Sequence, residues 1–226
     1  MKKLELVENK MIKVDADAAE LFQAQDLEIL SVLNVLAYFE EIQDGDEIEI
    51  THEYDNIFNI NGAEYAIYND YNQAEAEAVR QNIEIIEDCG VGENLLNIAI
   101  NHNMLDLNWF MDAAIEYAEL CAYDEGIEYL ADAEELEQID AGIVSEDEVR
   151  EKYYNSLIPD NDAAAFDEFI YNYGREYTEK LIIKENLLNI EELAQYCVDV
   201  DGVAHTLAHY DGEELEHNNY YLYRVN

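Results

Sequence analysis

Between Val14 and Val149 the chain contains one Lys or Arg, Arg80. Acids recur throughout that span. The stretch IEYAELCAYDEGIEYLADAEELEQID, Ile115 to Asp140, carries ten carboxylates and no Lys or Arg. An ordinary surface helix pairs Glu with Lys four residues on, because the pair adds a few tenths of a kcal/mol and like charges cost a similar amount. A chain that omits the bases must hold its core against its own surface repulsion. Either salt or a positively charged partner then screens the acids.

The formal charge of -43 comes from 54 Asp and Glu against 11 Lys and Arg. It reflects missing bases as much as added acids. Half of the residues are hydrophobic, with 18 Tyr and 6 Phe, so the chain can bury a core. Intrinsic disorder needs high charge together with low hydrophobicity, and the second condition fails. Cys89, Cys121 and Cys197 are odd in number and form no CxxC pair, which suits a reducing cytosol better than a disulfide framework. The basic start MKKLELVENKMIK leads into no signal-like apolar run, and no segment reaches the roughly 20 apolar residues of a membrane span. Anionic bilayers would repel this surface. The chain is expected to be soluble and cytoplasmic, without membrane contact.

The expected class is α+β, mostly helical, with a small antiparallel sheet or hairpin near residues 47–69 and a C-terminal β unit. The chain would form a single domain, either undivided or in two lobes at about 1–90 and 91–226. From Asp15, DADAAELFQAQDLEILSVLNVLAYFEEI reads as one helix, capped by Asp15 or Asp17 and ended at Asp44–Gly45. In DEIEITHEYDNIFNINGAEYAIYND, β-branched and aromatic residues alternate with polar ones, and Asn61–Gly62 is a hairpin signal because both central residues of a type I′ turn need positive φ.

Helical pattern dominates from Gln73 to about Gln195, with breaks at Gly90–Gly92 and Asn101–Asn103. Within it, Leu105, Phe110, Ala113, Tyr117 and Leu120 fall toward one side and Asp112, Glu116 and Glu119 toward another. Ser145 with Glu148 is a capping-box pattern. Pro159 in LIPDND marks a helix end, with a new cap at Asp160 or Asp162. In the final segment, the residues around His205 and His209 favour a strand, and Asn218–Asn219 precedes YYLYRV.

Chemical motifs are sparse. His205 and His209 could share zinc on a helix with Asp201 or Asp211, but on a strand they lie about 13 Å apart. No Glu stands between them as an HExxH site requires. DVDGV and QDGDE lack the ligand spacing of calcium loops. Glycoside hydrolysis needs two carboxylates flanking a cleft, and 54 acids single out no pair. No catalytic residue, metal site or cofactor is expected. Tyrosine recurs in clusters, at Tyr65, Tyr68 and Tyr71, at Tyr153 and Tyr154, at Tyr171, Tyr173 and Tyr177, and at Tyr220, Tyr221 and Tyr223. Such rings either half-bury along the core with wet hydroxyls or anchor a binding face. A stacking platform for nucleic acid needs interleaved Lys and Arg, so direct nucleic-acid binding is not expected.

The acid runs remain. Halophilic proteins favour Asp, Thr, Val and Ala, whereas this chain is rich in Ile, Asn and Tyr. The other explanation is imitation of DNA, which carries one negative charge per roughly 1.7 Å of axis. A globule of this length has a radius of gyration of roughly 17 Å and spans about 45 Å. That length of duplex carries roughly 26 charges, fewer than the chain's own excess. Carboxylates one helical turn apart are separated by about 5–6 Å, close to phosphate spacing along a strand.

This acidity with an α+β pattern resembles the antirestriction and anti-CRISPR DNA mimics of bacteriophages and plasmids. EYAIYNDYNQAEAEAVRQNI, from Glu64, and HTLAHYDGEELEHNNYYLYRVN, from His205, are similar to segments of uncharacterised phage and plasmid proteins. The closing pattern is met by His205, Leu207, Tyr210, Asp211, Gly212, Glu214, Glu216, Tyr220, Tyr221, Tyr223, Arg224 and Asn226. The resemblance implies a non-enzymatic decoy in the host cytoplasm, occupying the basic DNA-binding groove of a host restriction-modification complex or CRISPR effector. Its expected partner-binding array is Asp112, Glu116, Glu119, Asp124, Glu125, Glu128, Asp132, Glu134, Glu135 and Glu137, with Tyr117, Tyr123 and Tyr129 supplying shape. Two other readings stay open. One is an acidic binding module or assembly factor for a basic protein without DNA mimicry, and the other is a carboxylate-based hydrolase.

Overall fold

Asn61 and Gly62 adopt φ of +54° and +90°, the backbone that a type I′ turn demands. The strands they join, β3 (Ile57–Ile60) and β4 (Ala63–Tyr68), pair antiparallel with Ile60 opposite Ala63. Asn218 and Asn219, at +52° and +62°, repeat the device between β5 (Glu214–His217) and β6 (Tyr220–Arg224). Asn tolerates this left-handed region better than most residues. The computed structural model describes residues 12–42 and 47–226. The basic start through residue 11 and the expected break at Asp44–Gly45 lie outside the described residues.

The chain is α+β, and its sheet is a single one. With β1 (Ile12–Val14) and β2 (Ile48–Tyr54), the strands run in the order β1-β2-β3-β4-β6-β5. The β unit at the end of the chain therefore joins the central meander, through Tyr68 opposite Tyr221 and Ile67 opposite Leu222. The sheet is mixed rather than purely antiparallel, because β1 runs parallel to β2.

By contacts the chain divides into two units, Met1–Ile86 with Ala194–Asn226, and Glu87–Leu193. The sheet belongs to the first. Successive strand residues point to opposite faces, and β4 serves two cores in this way. Tyr65 and Ile67 join Phe22, Leu33, Leu36 and Ile50, while Ala66 and Tyr68 join Ala74, Ala78, Val198 and Leu207. Asp15 caps the first helix, its Oδ1 accepting from the Ala18 amide at 2.6 Å. The expected single helix is two, Ala16–Ala24 and Ile29–Tyr38. Asp26 turns left-handed at φ +55°, which lets Leu27 drop into the core.

A second difference lies at Val203–Leu207, which is helical rather than extended. Gly202 ends the preceding helix at φ +86°. Val203 and Leu207, four apart, then bury together in the second core, a helical spacing.

The second unit is helical. Gly90 and Gly92 (φ +84° and +60°) and Asn103 (+57°) make the expected breaks, and Gly174 (+84°) makes one that periodicity misses. Phe110, Phe166, Phe169 and Trp109 form an edge-to-face cluster with ring centroids 4.9–5.9 Å apart, the geometry favoured by aromatic quadrupoles. The expected cap at Asp160 or Asp162 falls instead on Asn161, whose Oδ1 accepts from the Ala164 amide at 3.0 Å. Asn and Asp cap about equally well, so composition could not separate the three. Among the described residues, no helix is long and apolar enough to cross a membrane.

Candidate functional site: an acidic and aromatic surface

The helix Asn108–Glu119 runs directly into a π-helical turn, Leu120–Asp124. Short helices Ile127–Leu130 and Ala133–Asp140 follow. These four elements carry eight of the ten residues of the expected array, and Glu125 and Asp132 stand at their ends as a C-cap and an N-cap. Of its ten acids only Glu135 is half-buried; the other nine are exposed. Glu135 is also the one that meets a base, Lys152. That ion pair and the Asp132 amide hold the Glu135 carboxyl below the usual glutamate range. Among the described residues no base pairs with the remaining nine.

The expected stripe holds at Leu105 and Phe110, which are buried, and fails at Tyr117 and Leu120. Phe110, Ala118 and Ala122 are fully buried, whereas Tyr117 and Leu120 are 58% and 56% exposed. The buried positions Phe110, Ala118 and Ala122 are spaced by multiples of four residues, which leaves Tyr117 one position off the inward face. π segments interrupt helices chiefly at functional sites. The displaced residues stand among the acids: Glu116, Tyr117, Glu119, Leu120, Tyr123 and Asp124 surround one shallow depression with Ala113 at its floor. Tyr123 and Tyr129 are 53% and 78% exposed.

Two bases support this surface from the helix Glu146–Leu157. Lys152 ties down Glu135. Arg150 points its Nη1 at backbone, donating to the Ala122 carbonyl at 2.6 Å and the Glu125 carbonyl at 3.0 Å. It thereby satisfies orphan carbonyls at the end of the π turn. The second unit holds 28 Asp and Glu against 5 Lys and Arg, and these two bases are spent on backbone geometry and one array member. The first unit holds 26 acids against 6 bases, so acidity is shared by both. The 112–137 segment sets exposed aromatic surface beside its acids, as the stretch around Tyr171, Tyr173 and Tyr177 also does.

The helix bearing Arg150 and Lys152 starts at the expected capping box. The Ser145 Oγ accepts from the Glu148 amide at 3.2 Å, and the Ser145 amide donates to Glu148 Oε2 at 2.8 Å. A second box, Asp132 with Glu135, starts Ala133–Asp140; the Asp-x-x-Glu spacing was its sequence signal. The Ser145 amide holds Glu148 below the usual glutamate range. A depressed carboxylate contributes stability above its unfolded pKa, near 4.3, and loses it as pH falls through the folded value. Glu148→Ala is therefore expected to melt below Asp147→Ala at pH 7, since both remove one charge and only the first removes the cap. The gap should close as pH falls below about 4. Thermal melts of the two variants across pH 3–7 check this.

Other residues singled out by sequence prove structural. The Tyr223 hydroxyl donates to Glu214 beneath a fully buried ring, and burial pushes its pKa up. Arg224 lies 4.2 Å over the Tyr210 ring, and Asn226 Oδ1 accepts from the Glu64 amide at 2.9 Å. The closing pattern thus fastens β6 and the chain end to the sheet. His205 sits in the short helix Val203–Leu207 and His209 beyond it. Among the described residues, no group of three or more His, Cys, Asp and Glu is placed to hold a metal ion. The three cysteines are free thiols. Comparison with protein-family models, curated proteins and solved structures finds no match to this chain.

Proposed function

We propose that this protein is a non-enzymatic acidic decoy that occupies the DNA-binding groove of a host defence protein, either a restriction-modification complex or a CRISPR effector. One observation carries the reading: nine exposed carboxylates without a basic partner among the described residues follow one another from Asp112 to Glu137, while Arg150 and Lys152 face backbone and Glu135. Leaving them unpaired costs stability through self-repulsion. A cationic groove recovers that cost on binding, drawn in by the same field that attracts it to DNA. Tyr117, Tyr123 and Tyr129 add contact area at low ordering cost, as aromatic residues do at interfaces.

The test is competition. Tagged protein captures its partner from a bacterial lysate at low salt, and the purified partner is then loaded with a fluorescent duplex. The decoy reading expects this protein to release the duplex as it saturates the partner. Simultaneous binding of both would refute it.

The exposed apolar surface at Tyr117, Leu120 and Tyr123 favours a second reading, an acidic binding module for a basic protein. A phosphate backbone presents nothing comparable to Leu120. On this reading partner and protein associate while DNA stays bound.

A further inference from the structure

Beside the acidic depression lies a second hollow of about 330 Å³, walled by three helices of the same unit. Its lining is mostly apolar: Phe110, Ala113 and Ala114 from one helix, Leu157 from another, Ala165 and Phe169 from a third. The small side chains make the space. Alanines at 113, 114 and 165 line the space beside the Phe110–Phe169 ring pair, where larger residues would fill it. Tyr117 and Tyr173, both more than half exposed, edge the opening, and the hollow shares Ala113 and Tyr117 with the acidic depression. Glu168 stands on its lining, and Glu116, Glu119 and Asp124 stand across Tyr117. No Lys or Arg lines either hollow.

We propose that this hollow is a slot for one bulky apolar side chain of a protein partner, flanked in that partner by lysines or arginines that the Glu116, Glu119, Asp124 and Glu168 rim receives. The inference rests on the reading that this face meets a basic protein, and it specifies how that protein is recognised. Charge complementarity selects the occupant: Glu168 with Asn172 on the lining, and Glu116, Glu119 and Asp124 in the adjoining depression, give a rim whose charged groups are all acids, which disfavours an anionic ligand and suits a cationic segment with an apolar centre. The acids bring the segment in and weaken with salt. The slot supplies an anchor that salt does not screen, with the pattern of a buried aromatic inside a polar ring. It also gives the interface a selectivity that a uniform polyanion lacks.

The probes are two synthetic lysine-rich peptides, identical except for a central tryptophan or alanine, titrated against the full chain at 0.15 M and 0.5 M NaCl. The tryptophan peptide is expected to bind at least about tenfold tighter, with the ratio kept at the higher salt. Ala113→Trp, which fills the slot from within, should bring the two peptides to within about twofold. Glu116→Gln with Glu119→Gln should weaken both peptides at low salt and leave their ratio unchanged. Equal affinities for the two peptides on the unaltered protein overturn the proposal without need of any variant. A self-associated dimer that Ala113→Trp disperses also overturns it, since the slot would then belong to a second copy. Failure of DNA competition with the tryptophan preference intact removes the mimicry reading and leaves the slot. The reverse outcome removes the slot alone.

Discussion

Raising NaCl from about 50 to about 200 mM should weaken the proposed complex with a basic-groove partner by about a hundredfold. A protein making six phosphate contacts on DNA loses roughly a thousandfold over that range, because each contact releases a condensed counterion. Nine exposed, unpaired carboxylates from Asp112 to Glu137 can supply a comparable number of contacts. Carboxylates on a folded surface condense fewer counterions than a duplex does, which sets the expectation below the DNA value. Most of the remaining affinity at high salt should come from the aromatic and aliphatic contacts around Tyr117. Calorimetric titration at four salt concentrations gives the slope. Neutralising three of the nine acids, for example Glu119, Glu125 and Glu128 to Gln, should flatten that slope gradually rather than abolish binding. An affinity unchanged between 50 and 200 mM would mean that the acid array is not the contact surface.

Arg150→Ala should lower the melting temperature of the helical unit by about 5–10 °C. Its guanidinium makes two charge-assisted hydrogen bonds to the carbonyls of Ala122 and Glu125, and hydrogen bonds to charged groups are worth about 1.5–3 kcal/mol. For a chain of this size each kcal/mol moves the midpoint by about 2–4 °C. Removing the side chain strands both carbonyls beside the fully buried Ala122 and takes a positive charge out of an already repulsive neighbourhood. Arg150→Lys keeps the charge without the planar fork, so it should recover only part of the loss. Far-ultraviolet circular dichroism melts of the three proteins separate the terms. If Arg150→Lys melts with the unaltered protein, charge rather than carbonyl bonding is what Arg150 contributes.

Local geometry was legible in the sequence where one or two residues determine it. Asn61–Gly62 fixed a turn because few other pairs accept two positive φ values, and Ser145 with Glu148 fixed a helix start because both groups bond reciprocally. Exposure of Asp112, Glu116 and Glu119 followed from their spacing. Features set by distant contacts were not legible. The pairing of β6 with β4 depends on Leu222 meeting Ile67, far apart in sequence, and nothing local announces it. The kink at Asp26 depends on Leu27 finding a place in the core, and the apolar positions on either side continue one helical period. Tyr117 and Leu120 read as inward residues because they are large and apolar at near-helical spacing from Phe110, whereas the small residues Ala118 and Ala122, at multiples of four from it, take the inward positions. Exposure of the acids was therefore legible in the sequence, and the apolar hollow beside them was not.

The helical unit interrupts the sheet unit in sequence, which sets an order of events during synthesis. Residues 87–193 form one continuous run, so this unit is fully synthesised before the end of the sheet unit emerges from the ribosome. The sheet cannot be completed then. Its β4 edge waits for the last five-residue strand, Tyr220–Arg224, and until that strand arrives β4 offers unpaired amides and carbonyls to any neighbouring chain. Nascent molecules stalled or cut before Tyr220 should thus be the aggregation-prone species, and the strong negative charge that suits the mature surface would also keep such immature chains apart while the final hairpin is made.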